Sequence, residues 1–436
     1  MPMGIVAIIG SPNVGKSTIF NRIIGTRRSI IDDQPGITRD RLYASASWLT
    51  KEFRVIDTGG IEIAARPFQE QIRAQAQIAI EEADVIVYVV DGQVGVTNDD
   101  REIAKLLYKS NKHIILAVNK IDDITKIADI YEFTSLGLGE PIAVSGAHGI
   151  GIGDLLDRIV KLLPDGQVSK FDEDEIVFSI IGRPNVGKSS LSNAILGTNR
   201  VIVSEIEGTT RDAIDTKFVR DDKNYVVIDT AGLKKRGRIY EAIDKYAALR
   251  ALAAIDRSEI VMLVIDAQQG ITEQDKHVVG YAMELDKAII LVVNKWDLIP
   301  RSQTAMSEFT KEVRKQFKFL EYAPIVFVSA KDKARIDSIF KALDMVNEAY
   351  GRRIQTSVLN EIIQDAQIMN PAPFFEGGRL KIFFANQVDV RPPTFVLFVN
   401  QPKHAHFSYM RYIENRLRES FSFDGTPIKI VLRARK

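Results

Sequence analysis

Short runs of β-branched and aliphatic residues alternate with amphipathic stretches along most of this chain. In the first half the apolar runs are Val6–Ile9, Arg54–Ile56, Val85–Val90 and Ile114–Val118, and in the second half they include Phe178–Ile181 and Ile289–Val293. Short apolar runs separated by stretches long enough for a helix predict a mostly parallel sheet flanked by helices. We therefore expect an α/β fold in both halves.

The polar motifs that follow these runs occur twice and in the same order. The octapeptide from Gly10 to Ser17 returns at Gly182 with one substitution, and the segments beginning at Gly36 and Asp57 return in the same register at Gly208 and Asp229. Repetition of several ordered motifs is the mark of a duplicated structural unit. The sequence therefore predicts two copies of one domain in tandem.

Each copy contains the G-x-x-x-x-G-K-[ST] pattern between an apolar run and a helix, the context that a phosphate-binding loop requires. Its glycines let backbone N–H groups surround a β-phosphate, and its lysine, Lys16 or Lys188, reaches the β- and γ-phosphates. We expect the nucleotide contacts of this loop in the first copy at Gly10, Ser11, Pro12, Asn13, Val14, Gly15, Lys16, Ser17 and Thr18. In the second copy they are Gly182, Arg183, Pro184, Asn185, Val186, Gly187, Lys188, Ser189 and Ser190.

Two further motifs suit a Mg²⁺ ion and a γ-phosphate. Ser17 and Ser189 would each give one hydroxyl to Mg²⁺, and Thr38 and Thr210, in the loop after the first helix of each copy, would give the second. The carboxylate that follows a strand lies near the ion, and the N–H of the motif's last glycine meets the γ-phosphate, whose loss releases the segment. These residues are Asp57, Thr58, Gly59 and Gly60 in the first copy and Asp229, Thr230, Ala231 and Gly232 in the second.

A third motif selects the base. A carboxylate at the end of a strand accepts two hydrogen bonds from guanine, N1–H and the 2-amino group, which adenine does not offer, so the motif favours GTP over ATP. The carboxylates are Asp122 and Asp297, each preceded by an asparagine and by a lysine whose stem lies along the base. The full set is Asn119, Lys120, Asp122, Ser145 and Gly146 in the first copy and Asn294, Lys295, Asp297, Ser329, Ala330 and Lys331 in the second.

Together these motifs resemble those of the translation-factor-related GTPases, and the doubled arrangement with its tail is similar to the tandem members of the TrmE-Era-EngA-like group. The resemblance covers the whole chain, with Gly146 standing where the family usually carries alanine. It implies GTP hydrolysis, binding to the large (50S) ribosomal subunit and its rRNA, and a role in maturation of that subunit.

The resemblance also concerns catalysis. Ile61 and Leu233 stand where Ras-like GTPases place a water-orienting glutamine, and neither side chain can orient a water molecule. Related GTPases with the same gap use K⁺ held by the asparagine that matches Asn13 and Asn185. We therefore hypothesise K⁺ at these two positions, with the alternative that the asparagines only shape the loop.

Residues 352–436 carry 13 basic and 7 acidic residues, an excess of six positive charges. Their pattern predicts helix 356–368, strands 380–385 and 395–400, helix 408–421 and strand 428–432, a small α+β domain that the resemblance identifies as KH-like. The G-x-x-G loop with which KH domains grip RNA does not occur in this segment. The basic residues can contact rRNA phosphates, or they can form a solvated or interdomain face.

Composition limits the remaining choices. The 436 residues carry a net charge of +1, contain 45% apolar residues and no cysteine, and contain no apolar run long enough to cross a membrane. We expect a cytoplasmic monomer with a first GTPase domain at 1–165, an acidic linker at 166–175, a second GTPase domain at 176–351 and the KH-like domain at 352–436. The alternative function is a GTPase that regulates tRNA modification or membrane remodelling through nucleotide-dependent assembly.

Overall fold

A computed structural model of the chain describes residues 4–25, 43–49, 51–57, 76–77, 79–80, 83–164, 171–172, 174–198, 201–203, 215–228, 244–300 and 302–435. The chain divides into two compact units. The first comprises residues 1–170 and 242–249, and the second comprises residues 171–241 and 250–436.

The first unit is built on a six-stranded sheet with the order β2-β3-β1-β4-β5-β6. Strand β2 is antiparallel to β3, and the other neighbours are parallel. The strands are β1 Gly4–Gly10, β2 Tyr43–Trp48, β3 Lys51–Asp57, β4 Val85–Asp91, β5 His113–Asn119 and β6 Ile142–Ala143. The helices are α1 Lys16–Gly25, α2 Asn98–Tyr108 and α3 Ile152–Leu162, with a 3₁₀ segment at Ile124–Leu136.

Helices cover both faces of this mostly parallel sheet, and its central strands are accordingly apolar on both faces. All six residues from Val85 to Val90 are buried, and helices pack on each side of them. In such a sheet the loops at the carboxyl ends of the strands gather at one edge. The phosphate-loop, Asp57 and Asn119 motifs each follow a strand, so the fold brings them to the same edge.

The second unit contains a seven-stranded sheet with the order β13-β12-β11-β7-β10-β9-β8. Its strands are β7 Glu175–Ile181, β8 Ile202–Val203, β9 Thr216–Arg220, β10 Lys223–Ile228, β11 Ile260–Asp266, β12 Ala288–Asn294 and β13 Ile325–Phe327. Its helices are α4 Lys188–Leu196, α5 Asp244–Arg257, of which residues 250–257 belong to this unit, α6 Glu273–Glu284, α7 Ala305–Gln316 and α8 Ile336–Tyr350, with short 3₁₀ turns at Trp296–Leu298 and Lys318–Leu320. The two halves therefore share one architecture, as the repeated motifs predict.

Residues 352–435 form the predicted α+β arrangement. The elements are α9 Thr356–Met369, β14 Phe374–Phe375, β15 Gly378–Arg379, β16 Ile382–Asp389, β17 Thr394–Val399, α10 Phe407–Phe421 and β18 Lys429–Ala434, with a 3₁₀ turn at Pro402–His404. Strand β17 lies between β16, which is antiparallel to it, and β18, which is parallel. Leu359, Ile363, Ile413 and Leu417 pack from the two helices onto this sheet, so these residues form the core of the segment.

Within the second unit, this segment is hydrogen-bonded to the seven-stranded sheet. The Ile289 N–H at the start of β12 donates to the Gly425 carbonyl over 2.7 Å, and the Gly425 N–H donates to the Tyr322 carbonyl over 2.7 Å. The Arg418 guanidinium lies 4.3 Å from the centre of the Tyr322 ring, and Arg391 pairs with Glu259. The turn around Gly425 is therefore fixed from both sides.

The predicted linker 166–175 is described only at its end. Phe171 packs against the core residues Val177 and Val226, and β7 begins at Glu175, one residue inside the predicted linker. Glu175 is buried, and its carboxylate accepts a hydrogen bond from the Lys217 ammonium over 2.6 Å, which is how an acidic residue fits into a strand here. The other domain limits remain predictions. Among the described residues, no helix combines the length and the apolar character that crossing a bilayer would need.

Candidate nucleotide sites

The phosphate loop of the first unit joins β1 directly to α1. Gly10 has φ +154°, and a Cβ built on it would lie 2.2 Å from the Val89 carbonyl oxygen, so the loop can leave the sheet here only at a glycine. The Lys16 ammonium folds back over the loop and donates to the carbonyls of Gly10 and Ser11 over 2.9 and 2.8 Å. The loop is therefore closed around its own lysine.

The second loop repeats this geometry. A Cβ on Gly182, at φ +142°, would lie 2.6 Å from the Val264 carbonyl oxygen. The Lys188 ammonium donates to the carbonyls of Gly182 and Arg183 over 2.7 and 2.6 Å. Asn13 and Asn185 have left-handed backbones at φ 63° and 64°, and both residues are exposed at the tips of their loops.

Both lysines are cations with little access to water. Burial lowers the pKa of Lys16, and the nearby Asp57 offsets part of this shift. Burial lowers the pKa of Lys188 to about 8, with Asp275 acting in the opposite direction. An ammonium that has lost water and donates its hydrogen bonds to neutral carbonyls gains from an added anion, and phosphate oxygens would supply one.

Ser17 and Asp57 come together beside the first loop. The Ser17 hydroxyl donates to the Asp57 carboxylate over 2.9 Å, and Asp57 is only 6% exposed. A hydroxyl and a carboxylate side by side are hard oxygen donors of the kind that Mg²⁺ prefers, so these two residues fit such an ion. Ser189 is the second residue of the corresponding helix of the second unit, which begins at Lys188.

One asparagine in each unit connects the phosphate loop to the base-side turn. The Asn119 amide donates to the Val14 carbonyl over 2.7 Å, and its oxygen accepts from the Gly146 N–H over 2.9 Å. Asn294 does the same between Val186 and Ala330, over 2.9 and 3.0 Å. Both asparagines are buried, so these hydrogen bonds between the loop and the turn are shielded from bulk water.

The lysine that follows each asparagine is held by a carboxylate on the neighbouring strand. Lys120 lies 2.5 Å from Asp91, and Lys295 lies 2.6 Å from Asp266. Burial raises the pKa of Asp266, but the hydrogen bonds from Lys295 and from the Gln268 backbone outweigh it, so the pKa is lowered overall. These ion pairs fix the lysine stems at the edge where the base would lie.

The two carboxylates predicted to select the base are accessible from solvent. The Asp122 side chain is 44% exposed, accepts a hydrogen bond from the Ser145 hydroxyl over 2.6 Å, and lies 3.9 Å from the His148 ring nitrogen. Asp297 is also exposed. A carboxylate oriented by a serine but still accessible can receive the two donors of guanine.

Some predicted site residues lie outside the described residues, and their positions stay predictions. They are Thr38, Thr58, Gly59, Gly60, Thr210, Asp229, Thr230, Ala231 and Gly232. Thr18, Ser190 and Lys331 are described and exposed near their loops.

Sequence reasoning missed four carboxylates: Asp91 and Asp266, which hold the base-side lysines, and Asp100 and Asp275, which cap the following helices. The signal was present, because Asp91, Gly95, Thr97 and Asp100 have counterparts at Asp266, Gly270, Thr272 and Asp275 at constant spacing. Extending the search for repeated positions beyond the known motifs would have found them.

Comparison with known proteins follows the same division of the chain. The family described as 50S ribosome-binding GTPase matches residues 5–120 and 177–295. The family described as the C-terminal KH-domain-like region of EngA bacterial GTPase enzymes matches residues 353–433.

Relatives align over nearly the full length. A GTPase Der from Macrococcus caseolyticus is 57% identical over 430 residues, which cover 99% of each chain. Those from Listeria welshimeri and Bacillus thuringiensis are each 56% identical, over 436 and 435 residues, and cover 100% of each chain.

Proposed function

This chain belongs to the Der family of tandem GTPases, and on that premise we propose that its two GTP sites act as switches in maturation of the large ribosomal subunit in the cytoplasm. The protein is a GTP-binding, GTP-hydrolysing enzyme with two P-loop GTPase domains and a KH-like segment. The site residues, the ions and the ribosomal role are the parts that we propose.

The observation that carries the site assignment is the bridge that Asn119 and Asn294 make in the two halves. Each bridge holds a phosphate loop and a base-side turn at one fixed separation, which is what a nucleoside triphosphate requires. We assign GTP to the residues predicted above in both sites, with phosphates at Lys16 and Lys188 and guanine at Asp122 and Asp297.

The chain's own groups perform the binding steps. On GTP binding, Lys16 and Lys188 exchange loop carbonyls for the β- and γ-phosphates. The phosphate charge then compensates the ammonium groups for the hydration that they lose by burial. Ser17 with Thr38, and Ser189 with Thr210, would hold Mg²⁺, which supplies positive charge to the β- and γ-phosphates when bound. The N–H groups of Gly60 and Gly232 would sense the γ-phosphate and couple its loss to the following segment.

We propose K⁺ at Asn13 and Asn185, where it would supply charge near the transferred phosphate. Because Ile61 and Leu233 cannot orient a water molecule, a bound cation would accelerate hydrolysis by stabilising the charge that develops in the transition state. GTPase activity should be at least about tenfold higher in KCl than in NaCl. Asn13→Ala with Asn185→Ala should remove this difference while GDP binding, measured by fluorescence titration, is retained. Equal rates of the wild-type chain in the two salts would reject the K⁺ assignment.

Base selection has a direct test. Asp122→Asn with Asp297→Asn should shift preference from guanine to xanthine nucleotides, because the amide reverses one hydrogen bond to the base. Each single variant should change one site and leave the other as its internal control. Unchanged affinity for GTP in the double variant would contradict the base-site assignment.

The family description and the charge of residues 352–436 support the ribosomal role. Part of that basic charge serves the unit itself, since Arg391, Arg418 and Lys429 contact residues of the second GTPase domain. The exposed remainder is free to meet rRNA phosphates. Among the described residues it comprises Arg353, Arg379, Lys381, Lys403, Arg411, Arg433 and Arg435.

Sedimentation tests this role. The chain should travel with the 50S subunit in at least one of three states, with GTP, with GDP or with a nonhydrolysable analogue, and purified 30S subunits serve as the control. Replacing the exposed basic residues Lys403 and Arg411 by glutamate should weaken the association and reduce its dependence on salt. Failure to travel with the 50S subunit in every nucleotide state would reject the ribosomal proposal.

A further inference from the structure

The two phosphate loops are attached to their domains in different ways. In the second loop the Arg183 guanidinium donates to the Asp275 carboxylate over 3.0 Å, to the Gln269 side-chain oxygen over 3.0 Å and to the Gly270 carbonyl over 3.1 Å. The Arg183 side chain is 12% exposed and that of Asp275 is fully buried. Arg183 therefore fastens the loop to the segment that caps α6.

The first loop has serine at the corresponding position. The Ser11 hydroxyl is buried and has no hydrogen-bond partner among the described residues. The helix-capping carboxylate of this unit, Asp100, is instead satisfied by the Tyr88 hydroxyl of β4, over 2.9 Å. The sheet, and not the phosphate loop, supplies this donor in the first unit.

Each unit has one outside donor to its helix-capping carboxylate, and the two units take that donor from different elements. Leu263 stands in β11 where Tyr88 stands in β4, and a leucine has no donor to offer. Asp275 already accepts the Thr272 N–H and hydroxyl as part of its helix cap, over 2.9 and 3.0 Å, so its remaining oxygen requires a donor from elsewhere. Arg183 provides it, and the phosphate loop becomes part of the capping network.

The segment that receives Arg183 also contains Asp266, which holds Lys295 on the base side. The second site thus has a continuous set of hydrogen bonds from the phosphate loop through residues 266–275 to the base-side lysine. The first site has the equivalent pair between Asp91 and Lys120, and Ser11 adds no corresponding arginine link to it. A loop fixed on both sides keeps its shape when the ligand leaves.

We propose that Arg183 is a positioning residue that holds the second phosphate loop in its nucleotide-binding shape and thereby makes GDP leave the second site more slowly than the first. The inference rests on the nucleotide sites proposed above and adds a difference between them. Since affinity differences between related sites lie mostly in dissociation, the release rate is the quantity to measure.

The test isolates each site. In an Asp122→Asn background only the second site retains guanine specificity, and release of fluorescent mant-GDP is followed by stopped flow after mixing with excess GDP. Arg183→Ser should speed release about tenfold, equivalent to about 1.4 kcal/mol, with association changed less than about twofold. Arg183→Lys should recover part of the difference because it retains the charge.

A matched control lies on α6, the helix that contains Asp275. Lys276→Ser removes the exposed pair with Glu273 and should change release less than about twofold. Unchanged release in Arg183→Ser, or an equal change in Lys276→Ser, would overturn the inference.

The reverse exchange tests sufficiency. In an Asp297→Asn background, Ser11→Arg with Tyr88→Leu should slow release from the first site several-fold, and no slowing in a folded variant would count against the proposed role. If Asp122→Asn with Asp297→Asn together still bound mant-GDP, the base-site assignment would fail separately. The role of Arg183 would then be tested without either aspartate substitution. Release of mant-GDP from such a chain has two phases, and Arg183→Ser should speed one of them and leave the other unchanged.

Discussion

Replacing Gly425 by alanine should weaken the attachment of the KH-like segment to the second GTPase domain. Gly425 has φ +67°, and an added Cβ would lie 2.4 Å from Val346 Cγ2 and 3.1 Å from the Ile289 carbonyl oxygen. Val346 is fully buried and β-branched, so its methyl group has no free rotamer to adopt. The loop cannot withdraw either, because both hydrogen-bonding groups of Gly425 are held over 2.7 Å by Ile289 and Tyr322.

The expected cost has two parts. A side chain in the left-handed region costs about 1–2 kcal/mol. The forced contact with Val346 adds about 1–3 kcal/mol, the usual range for overpacking a filled core. Gly377→Ala separates the two parts, because Gly377 has φ +85° and no atom within 4 Å of the added Cβ. Gly425→Ala should therefore lower the free energy of unfolding by about 2–5 kcal/mol and Gly377→Ala by about 1–2 kcal/mol.

Tryptophan fluorescence can follow the relevant unit. The chain has two tryptophans, and in a Trp48→Phe background only Trp296, in the second GTPase domain, reports urea unfolding. The unfolding midpoint should fall further for Gly425→Ala than for Gly377→Ala. Equal midpoints for the two variants would refute the steric reasoning and show that the turn can move away from Val346.

Three further predictions concern single groups. Tyr88→Phe removes a hydrogen bond to the buried charge of Asp100 and should cost the first unit about 1.5–3 kcal/mol in urea unfolding followed by Trp48 fluorescence. Burial raises the pKa of Tyr322 to about 12 despite the nearby Arg418, whereas the unfolded chain releases this proton near 10. The free energy of unfolding of the second unit should therefore fall as the pH rises from about 10 to about 12. The fall should be less steep in Tyr322→Phe. Asn119→Ser loses both hydrogen bonds between the phosphate loop and the base-side turn and should weaken GDP binding at the first site by about 2 kcal/mol, roughly 30-fold by calorimetric titration, with the second site unaffected.

The sequence alone predicts the duplicated domains, and it predicts those strands and helices whose hydrophobic periodicity is clear. The predicted run Val85–Val90 lies inside strand Val85–Asp91, and the predicted helix 408–421 is observed at Phe407–Phe421. Such elements are readable because their pattern is local. The fold class was predictable for the same reason, and the duplication doubled the signal.

The carboxylates that hold the site together were not predictable in this way. Asp91 and Lys120 are 29 residues apart in the chain, and a single aspartate after a strand has no local pattern to show that a lysine from the next strand will meet it. The ion pair of Arg183 with Asp275 was also missed, because a phosphate loop tolerates many residues at its second position. Its role depends on Leu263 in β11, which has no hydroxyl to donate where the first unit has Tyr88 in β4.

The different donors to Asp100 and Asp275 also bear on how the two halves stay distinct. Tandem copies of similar sequence invite recombination between them. A recombinant that carried Ser11 in the setting of Leu263 would leave the buried Asp275 without its outside donor, at a cost of about 1–3 kcal/mol. The reciprocal recombinant would bring an arginine and a tyrosine to one carboxylate, which can accept hydrogen bonds from both. Exchange of the phosphate loop alone is therefore costly in one direction, and the second copy tolerates the loop of the first only together with the tyrosine that supplies the missing donor.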